Sequence, residues 1–220
     1  MGRSSHLGGG IDALRGLSLA GKGCSCQAPC SGHRPELKSC HVNSGRALVN
    51  EAEFLALPES NQRLELIDGE VIVAPSPSLR HQEVLIRIVT ALRVWATTTH
   101  AKVTIMQAPL DVRFGSGRIL QPDAMIFLSS LPNDIETPIP HVPEICIEVL
   151  SHNRAYDRVT KRYLYAEAGV LEYWIVDPAG AFERRTGPTL GELESLDERL
   201  ETTLLPGFTL DLRTLFAARG

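Results

Sequence analysis

The 220-residue sequence lacks any apolar run long enough to cross a bilayer, which takes about 20 consecutive apolar residues. Its beginning also lacks the basic start and continuous apolar stretch of a secretory signal peptide. Hydrophobic residues make up 43% of the chain and charged residues 22%, which is typical of a soluble globular protein. We therefore expect a protein with no membrane association that resides in the cytoplasm.

The sequence also lacks an excess of positive charge, because its formal net charge is −4. Nucleic-acid-binding domains are often basic, so the total charge does not indicate one. Basic residues are nevertheless concentrated in segments 76–118 and 154–162, whereas acids predominate in segment 183–201. Two interpretations stay open: a locally positive face, or scattered solvated charge.

Paired C-x2-C motifs are absent as well. Cys24, Cys26, Cys30 and Cys40 lie close together, but their spacing matches no strong zinc pattern. Cys146 stands in an apolar run and is expected to be a small core residue. The sequence has no G-x-S-x-G elbow, P-loop, dinucleotide glycine fingerprint or H-E-x-x-H motif, which disfavours serine hydrolases, nucleotide hydrolases and zincins.

The chain divides into two parts by composition. Residues 1–45 are rich in Gly, Ser and Cys without periodicity, which predicts a disordered low-complexity extension. A gene start placed too far upstream explains this segment equally well. Order is expected to begin near Ala47, so residues 46–220 are predicted to form one domain.

Apolar patterning predicts the elements of this domain. A short helix in "ALVNEAEFLALPES" precedes a hairpin, "QRLELIDGEVIVAP", around Asp68-Gly69. A long amphipathic helix follows in "SPSLRHQEVLIRIVTALRVWATT", capped by Ser76 or Ser78. A second helix from Ala155 to Ala168 and a C-terminal helix are also predicted.

Strand-like runs are "KVTIMQAPLDVRF", "ILQPDAMIFL", "EICIEVLS", "LEYWIVDP" and "AFERRTG". The first runs can pair as an antiparallel meander, and the helix after "EICIEVLS" gives room for a parallel crossover to "LEYWIVDP". The predicted fold class is therefore α/β, with a mixed β-sheet flanked by helices and an N-terminal hairpin.

Glu148 is the first candidate site residue. In "EICIEVL", alternation places Glu148 on the face opposite Ile145, Ile147 and Val149. An unpaired buried charge costs several kcal/mol, so Glu148 needs a metal, a lysine or an arginine as its partner. A simple ion pair and a metal site are both open at this point.

Asp123 and Lys161 complete the constellation. Asp123 interrupts an apolar strand directly after Pro122, where a bulge or strand start re-aims a side chain. Two carboxylates on neighbouring strands suit a hard divalent cation. Lys161 shares one helix face with Asp157 and Tyr165 and can orient water or steady charge on a phosphate, or simply pair with Asp157.

Other polar residues carry weaker signals. Glu65 and Glu70 resemble solvated hairpin acids, and a lone His81 at a helix start is more often a surface or capping residue. Three arginines are candidate phosphate contacts, namely Arg80, Arg87 and Arg154.

Taken together, six motifs in residues 47–216 resemble the Uma-two family. In chain order, they are "RLELIDGEVIVAPSPSLRHQEV", "QPDAMIF", "EICIEVLS", D-x-x-x-K at 157–161, "YAEAGVLEYWIVDP" and "LPGFTLDL". This bacterial family of endonuclease-like proteins is placed in the PD-(D/E)xK restriction-endonuclease-like superfamily. The resemblance implies a restriction-endonuclease-like fold, with Asp123 as the motif aspartate, Glu148 as the second acid and Lys161 as a lysine supplied by the following helix. It also raises the expectation that Glu65 and His81 line the site.

The resemblance implies an endonuclease that hydrolyses DNA with Mg²⁺ or Mn²⁺ and forms a homodimer. Asp123 and Glu148 would hold the metal, and Lys161 would assist the attacking water. The alternative is a catalytically silent nucleic-acid-binding or assembly protein that keeps the acids as an ion-paired core. One departure concerns "SHN" at 151–153, where the family usually has S-P-S or S-P-N and one more residue before the helix. A shorter connection before the helix would change how far Lys161 reaches toward the two acids.

Overall fold

The computed structural model describes residues 48–58, 61–151 and 154–218. The predicted disordered extension, residues 1–45 with its four cysteines, lies outside the described residues. Within them, no helix combines the length and apolar character needed to cross a membrane.

The first elements follow the sequence pattern. Helix α1 (Glu51–Leu55) is capped by Asn50, which exchanges side-chain and backbone hydrogen bonds with Glu53. Strands β1 (Arg63–Ile67) and β2 (Glu70–Ala74) form the predicted hairpin. Asp68 and Gly69 both have positive φ, 49° and 91°, as a tight two-residue hairpin turn requires.

Helix α2 (Leu79–Thr99) confirms the predicted long amphipathic helix, and its N-cap is Ser78, the second of the two candidates. Its inner face buries Val84, Ile88, Leu92 and Trp95. The helix ends where His100 adopts the left-handed conformation.

Within the described ranges, the strands form two larger sheets and a two-stranded ribbon. In chain order, the remaining strands are β3 (Thr104–Gln107), β4 (Val112–Gly115), β5 (Arg118–Leu120), β6 (Ala124–Phe127), β7 (Ile145–Val149), β8 (Glu172–Asp177), β9 (Ala181–Thr186), β10 (Glu192–Leu196), β11 (Arg199–Glu201) and β12 (Thr209–Asp211). The sheet orders are β2-β1-β5-β4 and β10-β9-β8-β7-β6-β3, with β11 and β12 as the ribbon. The β7–β8 pair is parallel, as predicted, and makes the larger sheet mixed.

The single meander expected for the first strands is wrong in detail. "KVTIMQAPLDVRF" divides into β3 and β4, and "ILQPDAMIFL" divides into β5 and β6, with each pair split between the two sheets. Pro109 and Pro122 lie at the two divisions. A proline has no amide hydrogen to donate to a ladder, so each run breaks there and its halves pair with different neighbours.

The predicted helix after β7 has two parts. A π-helical segment, Tyr156–Lys161, leads directly into α3, Arg162–Ala168. Gly169 ends α3 with φ 92°, where a residue without Cβ is favoured. The C-terminal helix is α4, Leu212–Phe216.

The larger sheet separates two apolar clusters. Ile145, Ile147 and Val149 pack with α2 on one face. Cys146 and Leu150 pack with α3 on the other, as the alternation along β7 predicts. Glu148 therefore lies on the α3 face of the larger sheet, the face that also packs against residues of the smaller sheet such as Val112 and Leu120.

Candidate active site

Asp123 lies directly before β6, and its side chain is held from three sides. Oδ1 accepts a hydrogen bond from Arg63 Nη1 at 2.7 Å. Oδ2 accepts from the backbone N–H of Val149 at 2.9 Å and lies 3.0 Å from His81 Nε2. Burial raises the pKa of a carboxyl, but the neighbouring His81 and Arg63 outweigh it here and hold the pKa of Asp123 well below its usual range. Asp123 is therefore a buried carboxylate.

Glu148 lies in β7 beside Asp123, because Ala124 of β6 pairs with Ile147. Its Oε1 accepts hydrogen bonds from Lys161 Nζ at 2.8 Å and from Tyr165 OH at 2.6 Å. Burial raises the pKa of Glu148 to about 8, against the opposing effect of Lys161. The charge of Asp123 adds to this rise.

Lys161 is the last residue of the π-helical segment and points into the site. Its Nζ lies 2.8 Å from Glu148 Oε1 and 3.2 Å from Glu65 Oε1. Burial lowers the pKa of a lysine, but Glu148 and Glu65 outweigh it and raise the pKa of Lys161 well above its ordinary value. Lys161 thus reaches the acids in spite of the departure at 151–153. The wider turn of the π-helix also buries Asp157 on the same side.

Glu65 does not resemble a solvated hairpin acid. Only 1% of its surface is exposed, and it accepts hydrogen bonds from Gln121 N and Tyr156 OH, both at 3.0 Å. The reason is that β1 lies inside the smaller sheet, whereas β2 is its edge strand. Glu70, on β2, is exposed as expected.

His81 is likewise neither a surface residue nor a side-chain cap. It lies in the first turn of α2, where its backbone N–H donates to the N-cap Ser78. Its ring is buried and directed at Asp123. The five residues predicted for the site, Asp123, Glu148, Lys161, Glu65 and His81, therefore lie together.

The three arginines considered as phosphate contacts do not line the pocket of the acids, but Arg80 and Arg154 border a neighbouring cavity that shares His81 and Ser151 with it. Arg80 and Arg87 donate to backbone carbonyls at the end of α4, including those of Phe216 and Leu215. Arg154 pairs with Asp177. These contacts hold the arginines in the scaffold, and their role as phosphate contacts stays a prediction.

Arg63 and Tyr156 are the site residues that the sequence analysis missed. Both line the pocket beside the acids. A signal for Arg63 was present, because alternation along "RLE" places Arg63 and Glu65 on one face of β1. Tyr156 follows from the π-helical turn, which periodicity alone does not reveal.

These side chains surround a pocket of about 70 Å³, large enough for several water molecules. Four carboxylic acids line it: Glu65, Asp123, Glu148 and Asp157. The basic side chains in the same lining are Arg63, Lys161 and His81. The four acids face two permanently charged cations, so full ionisation would leave a buried excess of negative charge. Burial and the neighbouring acids raise the pKa of Glu148 to about 8, and a further cation would favour its ionised form.

The donor set fits a hard divalent ion. Asp123 and Glu148 offer carboxylate oxygens from adjacent strands, and Mg²⁺ commonly takes one or two carboxylates while keeping several waters. Among the described residues, no three His, Cys, Asp or Glu side chains form a ready-made metal cluster. The fit is thus to an ion held by two carboxylates and water, not to a cage built only of side chains.

The mixed sheet flanked by helices and the buried acid–lysine cluster define a nuclease-like α/β fold. The chain belongs to the Uma2 family, described as "Putative restriction endonuclease", whose family model matches residues 51–213. The fold is also similar to the crystal structure of a "putative nuclease belonging to DUF820" from Anabaena variabilis. That structure has a TM-score of 0.63 and 22% sequence identity over 76% of this chain and 97% of the other. The comparison with curated proteins found no match.

Proposed function

We propose that the chain is a metal-dependent endonuclease that hydrolyses phosphodiester bonds of DNA with Mg²⁺ or Mn²⁺. The observation that supports this most is that four buried acids and a buried lysine line one pocket with room for several water molecules. An excess of negative charge is costly inside a protein unless a cation completes it. Membership of the Uma2 family supports the nuclease class.

Asp123 and Glu148 are proposed to hold the ion. When bound, such an ion polarises a phosphoryl oxygen and makes a bound water more acidic. His81 and the Val149 N–H fix Oδ2 of Asp123, and thereby orient the carboxylate. Tyr165 and Lys161 do the same for Oε1 of Glu148.

Lys161 is proposed to orient the attacking water and stabilise the charge that develops on the phosphate. A buried ammonium group is effective in this role because few waters screen it. Glu65 holds Lys161 from the second side and is itself positioned by Tyr156. Glu65 and His81 are thus proposed as residues that line and order the site.

The first experiment is a calorimetric Mn²⁺ titration of the wild type, Asp123→Asn and a matched control, Asp134→Asn. Asp134 is exposed. We expect the control to bind like the wild type and D123N to lose measurable binding. Equal Mn²⁺ affinity in all three proteins would exclude Asp123 as a ligand and remove the metal-dependent mechanism.

The second experiment measures cleavage of plasmid and single-stranded DNA by the wild type and Lys161→Ala with Mg²⁺ or Mn²⁺. We expect the wild type to cut and K161A to be at least about 100-fold slower, as is usual when a group that stabilises the transition state is lost. If K161A cuts at the wild-type rate, the role proposed for Lys161 is wrong.

A second candidate function is a catalytically silent nucleic-acid-binding or assembly protein. The observation in its favour is that protein cations already pair with the acids: Arg63 with Asp123, and Lys161 with Glu148 and Glu65. This candidate predicts DNA binding without a response to Mn²⁺ and without cleavage. The titration described above separates the two candidates.

We also propose a cytoplasmic homodimer in which residues 46–220 are the nuclease domain. Sedimentation equilibrium at several protein concentrations tests the dimer, and a monomer throughout would contradict it.

The domain boundary is tested by deleting residues 1–45, which should leave the Mn²⁺ affinity unchanged. A loss of affinity would show that this segment takes part in the site.

A further inference from the structure

Arg63 is the cation that sits directly on the candidate metal ligand. It is the first residue of β1, and its side chain is 21% exposed, against 4% for Asp123. Nη1 donates to Asp123 Oδ1 at 2.7 Å, and Nη2 contacts the backbone carbonyl of Gln121. The guanidinium therefore lies between the buried acids and the surface.

Groups of the protein already hold most of the carboxylate oxygens of the two proposed ligands. Asp123 Oδ2 is already held by His81 and the Val149 N–H. Glu148 Oε1 is held by Lys161 and Tyr165. Asp123 Oδ1 remains, and among the described contacts Arg63 is the group on it.

Arg63 also lies in the field of the other acids. Burial lowers the pKa of an arginine, but the charges of Asp123 and Glu148 outweigh it and raise the pKa of Arg63. Glu65 adds to this effect. The same three carboxylates would surround a divalent ion bound to Asp123 and Glu148.

A guanidinium and a divalent ion cannot share one buried carboxylate oxygen at close range without strong repulsion. Arg63 has an alternative place. It lines the 70 Å³ pocket and also a neighbouring cavity of about 270 Å³, bordered by Asn61, Val73 and Pro75. Its Nε has no hydrogen-bond partner among the described residues, so two contacts, with Asp123 and the Gln121 carbonyl, hold the side chain.

We propose that Arg63 is a placeholder for the metal ion: it neutralises Asp123 in the ion-free protein, leaves Oδ1 when the ion binds, and then contacts the phosphate of the substrate. This inference rests on the proposed metal-dependent function. A guanidinium suits both states, because its planar fork binds carboxylate and phosphate alike. The exchange also limits the charge change in the pocket, because a dication enters as a monocation leaves.

The test is Mn²⁺ binding by Arg63→Gln, measured by calorimetry and by the electron paramagnetic resonance signal of free Mn²⁺. The matched control is Arg113→Gln, since Arg113 lies in the same sheet and pairs with Glu51 away from the pocket. If Arg63 competes with the ion, R63Q should bind Mn²⁺ about tenfold more tightly than the wild type, a typical coupling factor. R113Q should bind like the wild type. Equal or weaker binding by R63Q would overturn the placeholder role.

The phosphate contact is tested separately, by fluorescence anisotropy of a labelled DNA duplex with Ca²⁺ as the divalent ion. We expect R63Q to bind this DNA about tenfold more weakly than R113Q, as for the loss of a charge-assisted contact. Equal DNA binding would refute the second half of the proposal and leave the first.

One further variant, together with Asp123→Asn, keeps the outcomes distinct. Arg63→Lys keeps the charge but loses the fork, so its Mn²⁺ affinity should lie between those of the wild type and R63Q, and it tests the proposal even if R63Q folds poorly. If Asp123→Asn leaves Mn²⁺ affinity unchanged, the proposed function itself fails. If D123N abolishes binding but neither Arg63 variant tightens it, the placeholder role alone is wrong.

Discussion

Lys161→Met is the substitution with the most specific expected outcome for stability. The wild-type Nζ lies 2.8 Å from Glu148 and 3.2 Å from Glu65, and all three side chains are at most 5% exposed. At an effective dielectric constant of about 20, charges roughly 3 Å apart attract by about 5–6 kcal/mol before desolvation is counted. Because desolvation offsets much of this, removing one member of a buried pair costs about 3–5 kcal/mol.

Protonation of Glu148 sets the pH dependence of that loss. Its folded pKa is about 8, above the ordinary value of 4.5. The folded protein therefore keeps a proton that the unfolded chain has released, so wild-type stability falls between pH 4.5 and about 8, by at most about 1.4 kcal/mol per pH unit. Because Lys161 lowers the pKa of Glu148, the K161M substitution raises that pKa further. The stability of K161M therefore continues to fall above pH 8, where that of the wild type no longer does. We expect the free energy of unfolding of K161M to be lower than that of the wild type by about 3 kcal/mol at pH 7 and by about 4 kcal/mol at pH 9.

The assay is urea unfolding followed by tryptophan fluorescence, in EDTA, at both pH values. Trp174 is fully buried and reports on the core. Lys102→Met is the matched control, because Lys102 is exposed and its loss should change stability by less than about 0.5 kcal/mol. A loss in K161M no larger than in the control would refute the ion-pair energetics, and a loss that shrinks at pH 9 would refute the role given to Glu148.

Further predictions concern single contacts. Tyr165→Phe removes the 2.6 Å hydrogen bond to Glu148 and should lower the free energy of unfolding by about 1.5–3 kcal/mol while the protein still binds Mn²⁺, as denaturant titration and calorimetry would show; complete loss of Mn²⁺ binding would contradict it. Gly69→Ala forces a Cβ to 2.9 Å from Leu48 Cβ at φ 91°, and should cost about 1–3 kcal/mol in thermal unfolding; an unchanged melting temperature would show that the turn relaxes freely. Trp95→Phe removes the 3.1 Å hydrogen bond from the indole N–H to the Pro206 carbonyl and should lower the free energy of unfolding by about 1 kcal/mol. An unchanged midpoint of urea unfolding would mean that water replaces this hydrogen bond.

The local elements were predictable because their signals are local. The Asp68-Gly69 turn, the apolar stripe of α2 and the alternation along β7 each depend on neighbouring residues. The division of the strands between two sheets was not predictable in this way. It depends on which partner each half of a proline-interrupted run finds, and that partner is distant in sequence.

The site shows the same distinction. A chemical need identified Glu148 and Asp123, because an acid in an apolar strand requires a partner. Glu65 and His81 look ordinary in sequence, and their burial results from β1 lying inside a sheet and α2 starting beside Asp123. Arg63 is found only when the alternation of its strand is combined with that placement.

The origin of Lys161 in a helix, and not in the acid's own strand, has a consequence for how such a site can change over evolution. A lysine two residues after Glu148 would be fixed to the acid by the geometry of one strand. Lys161 is instead positioned by the docking of α3, through side chains such as Leu164 and Tyr165. Substitutions in that helix–sheet packing can therefore adjust the ammonium group relative to the carboxylates in small increments, while both proposed metal ligands stay in place.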